Sequence, residues 1–242
     1  IHMSNFKKLS VVILCYKSEE KIIPFVEIIE NVMQNMHSDY ELVLVANYTL
    51  DKDDKTPEIV KNLSKKNKKI VPIIKLKKGM MGWDAISGLR SATGDAIALI
   101  DGDGQMPPKD LARIFKILQT GEFDFVKTFR IKRFDGFFRT LISQCFNNLF
   151  RLLFPKTFFR DINSKPKVFT KEALDKINLT CPGWFLDGEI MLEVKRLDLS
   201  FAEIPTEFHE IEWRASFIKW TSIVEMFLSL IKYRYRYWLK NF

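Results

Sequence analysis

The chain has 242 residues, of which 47% are hydrophobic, and a formal net charge of +8 at pH 7. This length and apolar content predict a globular protein with one large domain and exclude a disordered chain. The positive charge indicates an anionic partner without distinguishing nucleic acid, a phosphorylated ligand and an anionic membrane. The three cysteines, Cys15, Cys145 and Cys181, are widely spaced, which argues against a zinc ribbon or a disulfide framework and favours a reducing compartment.

Short apolar segments alternate with amphipathic ones in the first half of the chain. The predicted strands, apolar on both faces as in a covered parallel sheet, cover residues 10–16, 41–46, 69–76 and 96–101. The predicted helices cover residues 21–36, 56–67 and 83–94. Thr56 is expected to be the N-cap of the second helix, and Gly94 to close the third. This alternation predicts an α/β doubly wound, mainly parallel sheet, in which ligands bind at the carboxyl ends of strands.

Two aspartates, Asp101 and Asp103, follow the last of these strands in the segment ALIDGDGQMPP. A plain Asp-Gly turn is one explanation. An EF-hand loop is excluded, because Gln105, Met106 and Ala112 stand where that loop needs an acidic residue or asparagine, a glycine and a glutamate. A carboxylate pair with open coordination otherwise suits Mg²⁺ or Mn²⁺ that also binds a substrate diphosphate.

Three segments carry an ordered set of motifs: SVVILCYKSEEKI, ELVLVANYTLDKD and KKGMMGWDAISGLRSATGDAIALIDGDGQMPPKDL. This order resembles glycosyltransferase family 2, which has the GT-A fold, and the segments that follow resemble the branch that makes dolichyl- and polyprenyl-phosphate sugars. The resemblance covers roughly residues 10–216. It implies a catalytic domain at 4–216, with a donor half up to about residue 128 and an acceptor half from about residue 129, followed by an amphipathic basic and aromatic segment at 217–242.

The resemblance implies a role for the polar residues at the strand ends. Asp103 corresponds to the metal ligand of the family's D-x-D motif, and Asp101 to its nucleotide or metal contact. Gln105 matches the glutamine of the lipid-phosphate branch, and Tyr16 and Glu20 match donor-binding residues. The implied donor is a nucleotide-diphosphate sugar and the implied cofactor is Mg²⁺ or Mn²⁺. Two simpler explanations stay open: Gln105 as a polar residue at a helix start, and Tyr16 as a half-buried strand-end aromatic.

The end of the second strand departs from the family pattern. Ala46 and Asn47 stand where the family has two adjacent aspartates, whereas Asp51 matches a later one. Because an amide both donates and accepts hydrogen bonds, Asn47 is expected to pair with an edge of the nucleotide base. The departure leaves the identity of that base open.

The acceptor half contains one candidate base and several cations. Asp187, in WFLDGEI, matches the general base of family members that use hydroxyl acceptors, and its apolar neighbours predict a raised pKa. It is also placed to cap the following helix. A lipid phosphate is already ionised and needs cations instead, for which the candidates are Arg130, Arg139, Lys165 and Lys167. The two arginines match the family's pattern, and Arg139 is assigned a catalytic role alongside Asp187.

Residues 220–242 combine an apolar stretch with interleaved aromatic and basic residues. The apolar part is shorter than the ~20 residues that a spanning helix needs. It is predicted either to lie in a membrane interface or to form a core helix with a basic end. Because no secretory signal pattern opens the chain, we expect a cytoplasmic protein that is peripheral at the inner membrane face.

Three functions remain open from the sequence. The first is an inverting transfer of sugar from a nucleotide-diphosphate sugar to a polyprenyl phosphate. The second is the same chemistry on a sugar hydroxyl in cell-surface polysaccharide synthesis, with Asp187 as base. The third is a non-catalytic module that binds a sugar nucleotide. No nucleic-acid partner is expected, because the basic residues spread along the chain without a binding signature.

Overall fold

The computed structural model describes residues 6–36, 39–50, 53–134, 136–155, 157–210 and 220–240. Its strands are Lys8–Leu14 (β1), Asp39–Val45 (β2), Ile70–Ile73 (β3), Ala96–Asp101 (β4), Phe125–Arg133 (β5), Lys167–Thr170 (β6) and Phe201–Phe208 (β7). Its α-helices are Ile22–Gln34 (α1), Thr56–Lys66 (α2), Met81–Leu89 (α3), Lys109–Leu118 (α4), Phe137–Leu153 (α5), Lys171–Lys176 (α6), Leu186–Arg196 (α7) and Trp220–Lys240 (α8).

The seven strands form one sheet in the order β3-β2-β1-β4-β6-β5-β7. The first four strands pair in parallel, as the alternation of strands and helices predicts. β6 runs antiparallel to both of its neighbours, and β7 pairs in parallel with β5. The prediction of a mainly parallel α/β sheet is therefore confirmed.

Helices cover both faces of this sheet. One apolar core lies between the sheet and α1, α2 and α4, and the other includes residues of α3, α5, α7 and α8. Val11 and Ile13 of β1 belong to the first core and Val12 to the second. Successive residues of a strand point to opposite faces, and both faces here are covered, so β1 and β4 are mostly apolar on both faces.

Two predicted helix boundaries were wrong. Thr56 is the first residue of α2 rather than its N-cap, and its hydroxyl accepts a hydrogen bond from the backbone N–H of Glu19 (2.9 Å). α3 ends well before Gly94, which lies in the loop to β4. A Cβ at Gly94 would lie 2.6 Å from Oγ of Ser10 and 2.8 Å from the carbonyl oxygen of Lys8. This glycine therefore permits a close approach to β1 and does not end a helix.

One face of α8 packs on the protein and the opposite face is exposed. Phe227 contacts Phe146 of α5 edge-on, with ring centroids 5.8 Å apart, and Leu230 is fully buried. The exposed face carries five apolar side chains, each more than half exposed: Trp220, Val224, Leu228, Ile231 and Tyr235. Within the described ranges, no helix combines the length and apolar character needed to span a bilayer.

Candidate functional site

The predicted donor residues meet at one edge of the sheet, because the carboxyl ends of parallel strands lie together. Tyr16 follows β1, Asn47 follows β2, and Asp101 is the last residue of β4. Glu20 is exposed in the short 3₁₀ turn that precedes α1. Asp51 lies outside the described residues.

The D-x-D segment is held against β1 by its central glycine. The backbone N–H of Gly102 donates to the carbonyl of Leu14 (2.9 Å), and a Cβ at this position would lie 2.8 Å from the same oxygen. Oδ1 of Asp103 accepts a hydrogen bond from the backbone N–H of Gln105 (3.1 Å). The side-chain nitrogen of Gln105 donates to the carbonyl of His209 (3.0 Å).

The two aspartates fit a divalent cation that shares its ligands with a diphosphate. Asp101 and Asp103 are both partly exposed and supply hard oxygen donors. Among the described residues, no group of three or more histidine, cysteine, aspartate or glutamate side chains could hold a metal ion. An ion at this edge would therefore complete its coordination with oxygens of the donor and water, as Mg²⁺ and Mn²⁺ do at phosphate sites.

Asn47 is buried and hydrogen-bonded within the protein. It is fully buried, and its amide nitrogen donates to Oδ1 of Asp84 (2.9 Å) and to Oγ of Ser87 (3.0 Å), both on α3. Its amide oxygen accepts from the backbone N–H of Lys75 (2.9 Å). α3 covers the end of β2, and the amide of Asn47 joins these two elements, so pairing with a base edge would require these hydrogen bonds to change.

Lys77 and Asp84 form a charged pair that the sequence analysis missed. The Lys77 ammonium donates to the buried Asp84 carboxylate, and burial raises the pKa of Asp84 even though Lys77 opposes the shift. The same ammonium lies 4.1 Å from the centroid of the Tyr16 ring, within cation–π range. A cation therefore stands beside the predicted donor-binding tyrosine. One feature of the sequence could have indicated this pair: Asp84 is an aspartate in an otherwise apolar turn of α3.

Four side chains form an alternating series of charges behind the D-x-D segment, which we call the charge chain: Lys167, Asp187, Lys165 and Asp101. Lys167 Nζ lies 2.6 Å from Oδ1 of Asp187. Lys165 Nζ lies 3.1 Å from Oδ2 of Asp187 and 3.2 Å from Oδ2 of Asp101.

The sheet register explains the charge chain. β4 and β6 pair antiparallel with Leu99 opposite Lys167, and continuing this register by two residues brings Lys165 beside Asp101. α7 then supplies Asp187 from the covering layer. A pairing across such different parts of the chain is set by tertiary structure and is absent from local sequence patterns.

The predicted rise in the pKa of Asp187 is wrong. Burial does favour the neutral form, but the ammonium groups of Lys165 and Lys167 outweigh it and hold the pKa below its ordinary value. Asp187 also does not cap α7: it is the second residue of that helix, and Phe185 occupies the N-cap. The Asp187 carboxylate is therefore a buried, paired anion.

The two lysines are bound to carboxylates and not presented to an acceptor. Lys167 is fully buried, and burial lowers its pKa to about 7 although Asp187 opposes the shift. Lys165 is only 4% exposed; burial would lower its pKa, but Asp101 and Asp187 together raise it. Neither ammonium is open to a bulky ligand in this arrangement, so the predicted contact of Lys165 and Lys167 with an acceptor phosphate would require these ion pairs to open.

Arg130 forms a buried, bidentate ion pair with Asp161, a partner that the sequence analysis missed. Nε lies 2.6 Å from Oδ2 and Nη2 lies 2.8 Å from Oδ1. Burial of Asp161 favours its neutral form, but Arg130 outweighs this and holds its pKa well below the usual range. Nη2 of Arg130 also lies 3.4 Å from Oγ of Ser143, one helical turn after Arg139. The predicted arginines thus lie near the same side of α5.

Several exposed apolar residues lie close to Arg139 in the chain. Arg139 is exposed in the first turn of α5. The exposed apolar residues close to it in the chain are Ile131, Phe134, Phe138 and Leu141. A cation in a segment rich in exposed apolar residues suits an anion attached to an apolar chain.

Comparison with known proteins gives a family and several relatives. The family model described as glycosyl transferase family 2 matches residues 10–179. The chain is 32% identical over 144 residues to the undecaprenyl-phosphate 4-deoxy-4-formamido-L-arabinose transferase of Photorhabdus laumondii, covering 59% of this chain and 43% of that protein. It is 27% identical over 209 residues to the dolichol-phosphate mannosyltransferase of Pyrococcus furiosus, covering 83% and 56%. The chain spans about half the length of the curated relatives it matches.

Solved structures show the same fold. Glucosyl-3-phosphoglycerate synthase from Mycobacterium tuberculosis, in complex with Mn²⁺, UDP and glucosyl-3-phosphoglycerate, superposes with a TM-score of 0.70 at 17% identity, covering 94% of this chain and 80% of that one. Its complex with Mn²⁺, UDP-glucose and phosphoglyceric acid gives 0.71 at 18% identity, with the same coverage of both chains. At this identity the likeness concerns the fold, and the predicted GT-A fold is confirmed.

Proposed function

The chain belongs to glycosyltransferase family 2, and on this basis we propose that it is an inverting enzyme that transfers a sugar from a nucleotide-diphosphate sugar to a polyprenyl phosphate. The relatives named for undecaprenyl phosphate and dolichol phosphate support this acceptor class. In the reaction, an acceptor phosphate oxygen forms a bond to the anomeric carbon. The bond from that carbon to the diphosphate oxygen breaks, and the nucleoside diphosphate leaves with the electron pair.

The environment of Asp187 is the main observation in favour of a phosphate acceptor. A sugar hydroxyl must lose a proton as it attacks, and a useful base has a pKa near the working pH and reaches that proton. Asp187 is buried, is paired with two ammonium groups and has a lowered pKa. A phosphate acceptor is already an anion and needs no base, so this environment favours it over a hydroxyl.

The surroundings of Arg139 also support a lipid phosphate. Its guanidinium offers charge-assisted hydrogen bonds to phosphate oxygens. The exposed apolar residues near it in the chain match the isoprenoid chain that such an acceptor carries. We propose Arg139 as the acceptor-phosphate cation, with Arg130 fixed by Asp161 as its neighbour on β5.

At the donor end we propose that Asp103, with Asp101 and Gln105, holds Mg²⁺ or Mn²⁺ together with the donor diphosphate. When bound, such an ion stabilises the negative charge that develops on the leaving group. The complexes of the solved structures with Mn²⁺ and UDP support this proposal. Tyr16 with Lys77 is proposed to contact the nucleotide, and Glu20 and Asp51 stay proposed donor residues.

The acceptor class can be tested with a matched pair of lipids. The full chain would be incubated with Mn²⁺, a panel of UDP- and GDP-sugars, and either a short-chain polyprenyl phosphate or the corresponding polyprenol. We expect sugar transfer to the phosphate, with release of nucleoside diphosphate, and no transfer to the alcohol. Transfer to polyprenol or to free saccharides would favour the hydroxyl alternative. Donor binding without any transfer would favour a binding module.

We also propose that α8 lies on the cytoplasmic membrane surface. Its outward apolar face is accompanied by the exposed cations Lys232 and Arg236. Interfacial helices combine these two features, and each basic residue near an anionic surface contributes ~1 kcal/mol.

The three cysteines are free thiols, in keeping with a reducing compartment. We accordingly treat 4–216 as the proposed catalytic domain and 217–242 as its membrane-facing segment.

A triple substitution of the outward face, Val224→Asn, Leu228→Asn and Ile231→Asn, is expected to reduce binding to anionic vesicles about tenfold or more, because it removes apolar burial. The melting temperature should change little, since these side chains are exposed. The control is Ile28→Asn with Leu50→Asn, two exposed apolar residues remote from α8 in the chain. Co-sedimentation with phosphatidylglycerol vesicles measures the effect. If the triple variant and the control bind vesicles equally well, the proposal that α8 lies on the membrane surface is wrong.

A further inference from the structure

We propose that Lys165 is a positioning residue: it serves as an internal counter-cation for Asp101, and it thereby makes binding of the divalent ion depend on the donor diphosphate. This inference rests on the proposed function, because it concerns the same metal and donor site. It assigns Lys165 a role different from the acceptor contact that the sequence suggested.

The contacts of Lys165 fix its ammonium between two carboxylates. Nζ lies 3.2 Å from Oδ2 of Asp101 and 3.1 Å from Oδ2 of Asp187, and the side chain is 4% exposed. Asp101 is the more accessible partner, with 33% of its side chain exposed at the sheet edge. The ammonium therefore reaches Asp101 from the protein interior, and the opening to solvent is on the Asp101 side.

Lys165 is held there by the rest of the charge chain. Lys167 occupies the other oxygen of Asp187, at 2.6 Å, and is itself anchored to the carbonyl of Ser164 (2.7 Å). The Lys165 ammonium is thus the cation that Asp101 and Asp187 share. Moving Lys165 away from Asp101 would leave a buried positive charge with one partner, which is unfavourable in a low-dielectric interior.

The pairing of Asp101 with Lys165 lowers the affinity of this edge of the sheet for a divalent ion. An ion approaching Asp101 meets a carboxylate whose charge is already neutralised and an ammonium that repels it. A donor diphosphate adds negative charge on the solvent side, which attracts the ion and offsets the ammonium. We therefore expect Mn²⁺ to bind weakly to the free protein and much more tightly in the presence of a nucleoside diphosphate.

The test is Mn²⁺ binding to the full chain, measured by electron paramagnetic resonance with and without UDP or GDP. Without nucleotide, Lys165→Met is expected to bind Mn²⁺ about tenfold more tightly than the wild type. Lys165→Arg, which keeps the charge, should bind as weakly as the wild type. Lys109→Met is the matched control: it removes one exposed cation from the start of α4, shortly after the D-x-D segment, and should change affinity less than about twofold.

Asp101 supplies a second and independent test. In the wild-type background, Asp101→Asn should weaken the nucleotide-free Mn²⁺ affinity about tenfold, because the Lys165 ammonium then repels the ion without its counter-charge. Combined with Lys165→Met, it should cancel the tenfold gain. The Asp101 variant is at a partly exposed position, so it tests the proposal even if Lys165→Met does not fold.

Several results would overturn the role of Lys165. They are tight Mn²⁺ binding by the wild type without nucleotide, equal effects of Lys165→Met and Lys109→Met, an unchanged affinity in Asp101→Asn alone, or a gain that survives Asp101→Asn. The measurement does not use sugar transfer. A protein that glycosylates polyprenyl phosphate but shows one of these results retains the proposed function and loses only this inference.

Discussion

Asp103→Asn is expected to abolish sugar transfer while leaving the fold intact. The substitution removes the carboxylate charge proposed to hold the divalent ion, at a partly exposed position where a neutral amide of the same shape is tolerated. Loss of charge stabilisation at a leaving group costs about 10³-fold in rate or more. Initial rates at saturating Mn²⁺ and nucleotide sugar measure the loss. Binding of the nucleotide sugar in Mn²⁺ should also weaken.

Asp175→Asn is the matched control for this variant. Asp175 is an exposed aspartate of α6, paired with Lys171 on the same helix and far from the D-x-D segment in the chain. Its rate should stay within about twofold of the wild type. An excess of chelator should reproduce the Asp103→Asn loss in the wild type. If UDP- and GDP-sugars bind as tightly in excess chelator as in its absence, the proposed role of the metal is wrong.

The sheet was predictable because its signals are local. Each of β1 to β4 is a short apolar segment followed by a turn and an amphipathic helix, and that order alone implies parallel pairing. Helix ends were less predictable. Gly94 has the composition of a helix terminator, but its position is set by contacts with Ser10 and Lys8 of β1, distant in the chain.

The candidate site was predictable only where it follows from strand ends. The D-x-D segment was placed correctly because it directly follows β4. The charge chain was not predicted, because Lys165 and Asp101 are 64 residues apart and meet through the β4–β6 register. Lys165 and Lys167 flank a proline at the start of β6. Such a pattern is typical of exposed surface charge, and only the partners of the two lysines show that they are buried. The hydrogen bonds of Asn47 were not predicted for the same reason, since α3 supplies two of its partners.

The choice between acceptor classes depends on two side chains with different environments. Arg139 is exposed, so Arg139→Ala should fold normally. If it binds the acceptor phosphate, its loss should lower kcat/KM for polyprenyl phosphate about 10²-fold, mostly through KM. Arg151→Ala, an exposed arginine of the last turn of α5, is the charge-matched control and should have little effect.

Asp187→Asn tests the alternative, a hydroxyl acceptor with Asp187 as general base. A general base removed from a hydroxyl acceptor reaction costs ~10²–10⁴-fold, and the pH dependence due to its ionisation disappears. In the proposed reaction the acceptor is ionised beforehand, so the loss should be smaller than for Arg139→Ala and the shape of the pH–rate profile should be retained. The substitution also leaves Lys165 and Lys167 with less negative charge, which destabilises the buried cluster by a few kcal/mol.

The two variants must therefore be compared at equal folded fraction, measured by circular dichroism at the assay temperature. The paired lysines lower the proton affinity of Asp187 before any acceptor arrives. A site built for a hydroxyl acceptor would need the reverse, a carboxylate whose pKa is raised toward neutrality. A greater loss at Asp187 than at Arg139, or a pH profile that changes only in Asp187→Asn, would show that the carboxylate is a base in spite of its partners. The lipid-phosphate acceptor would then be replaced by a sugar hydroxyl.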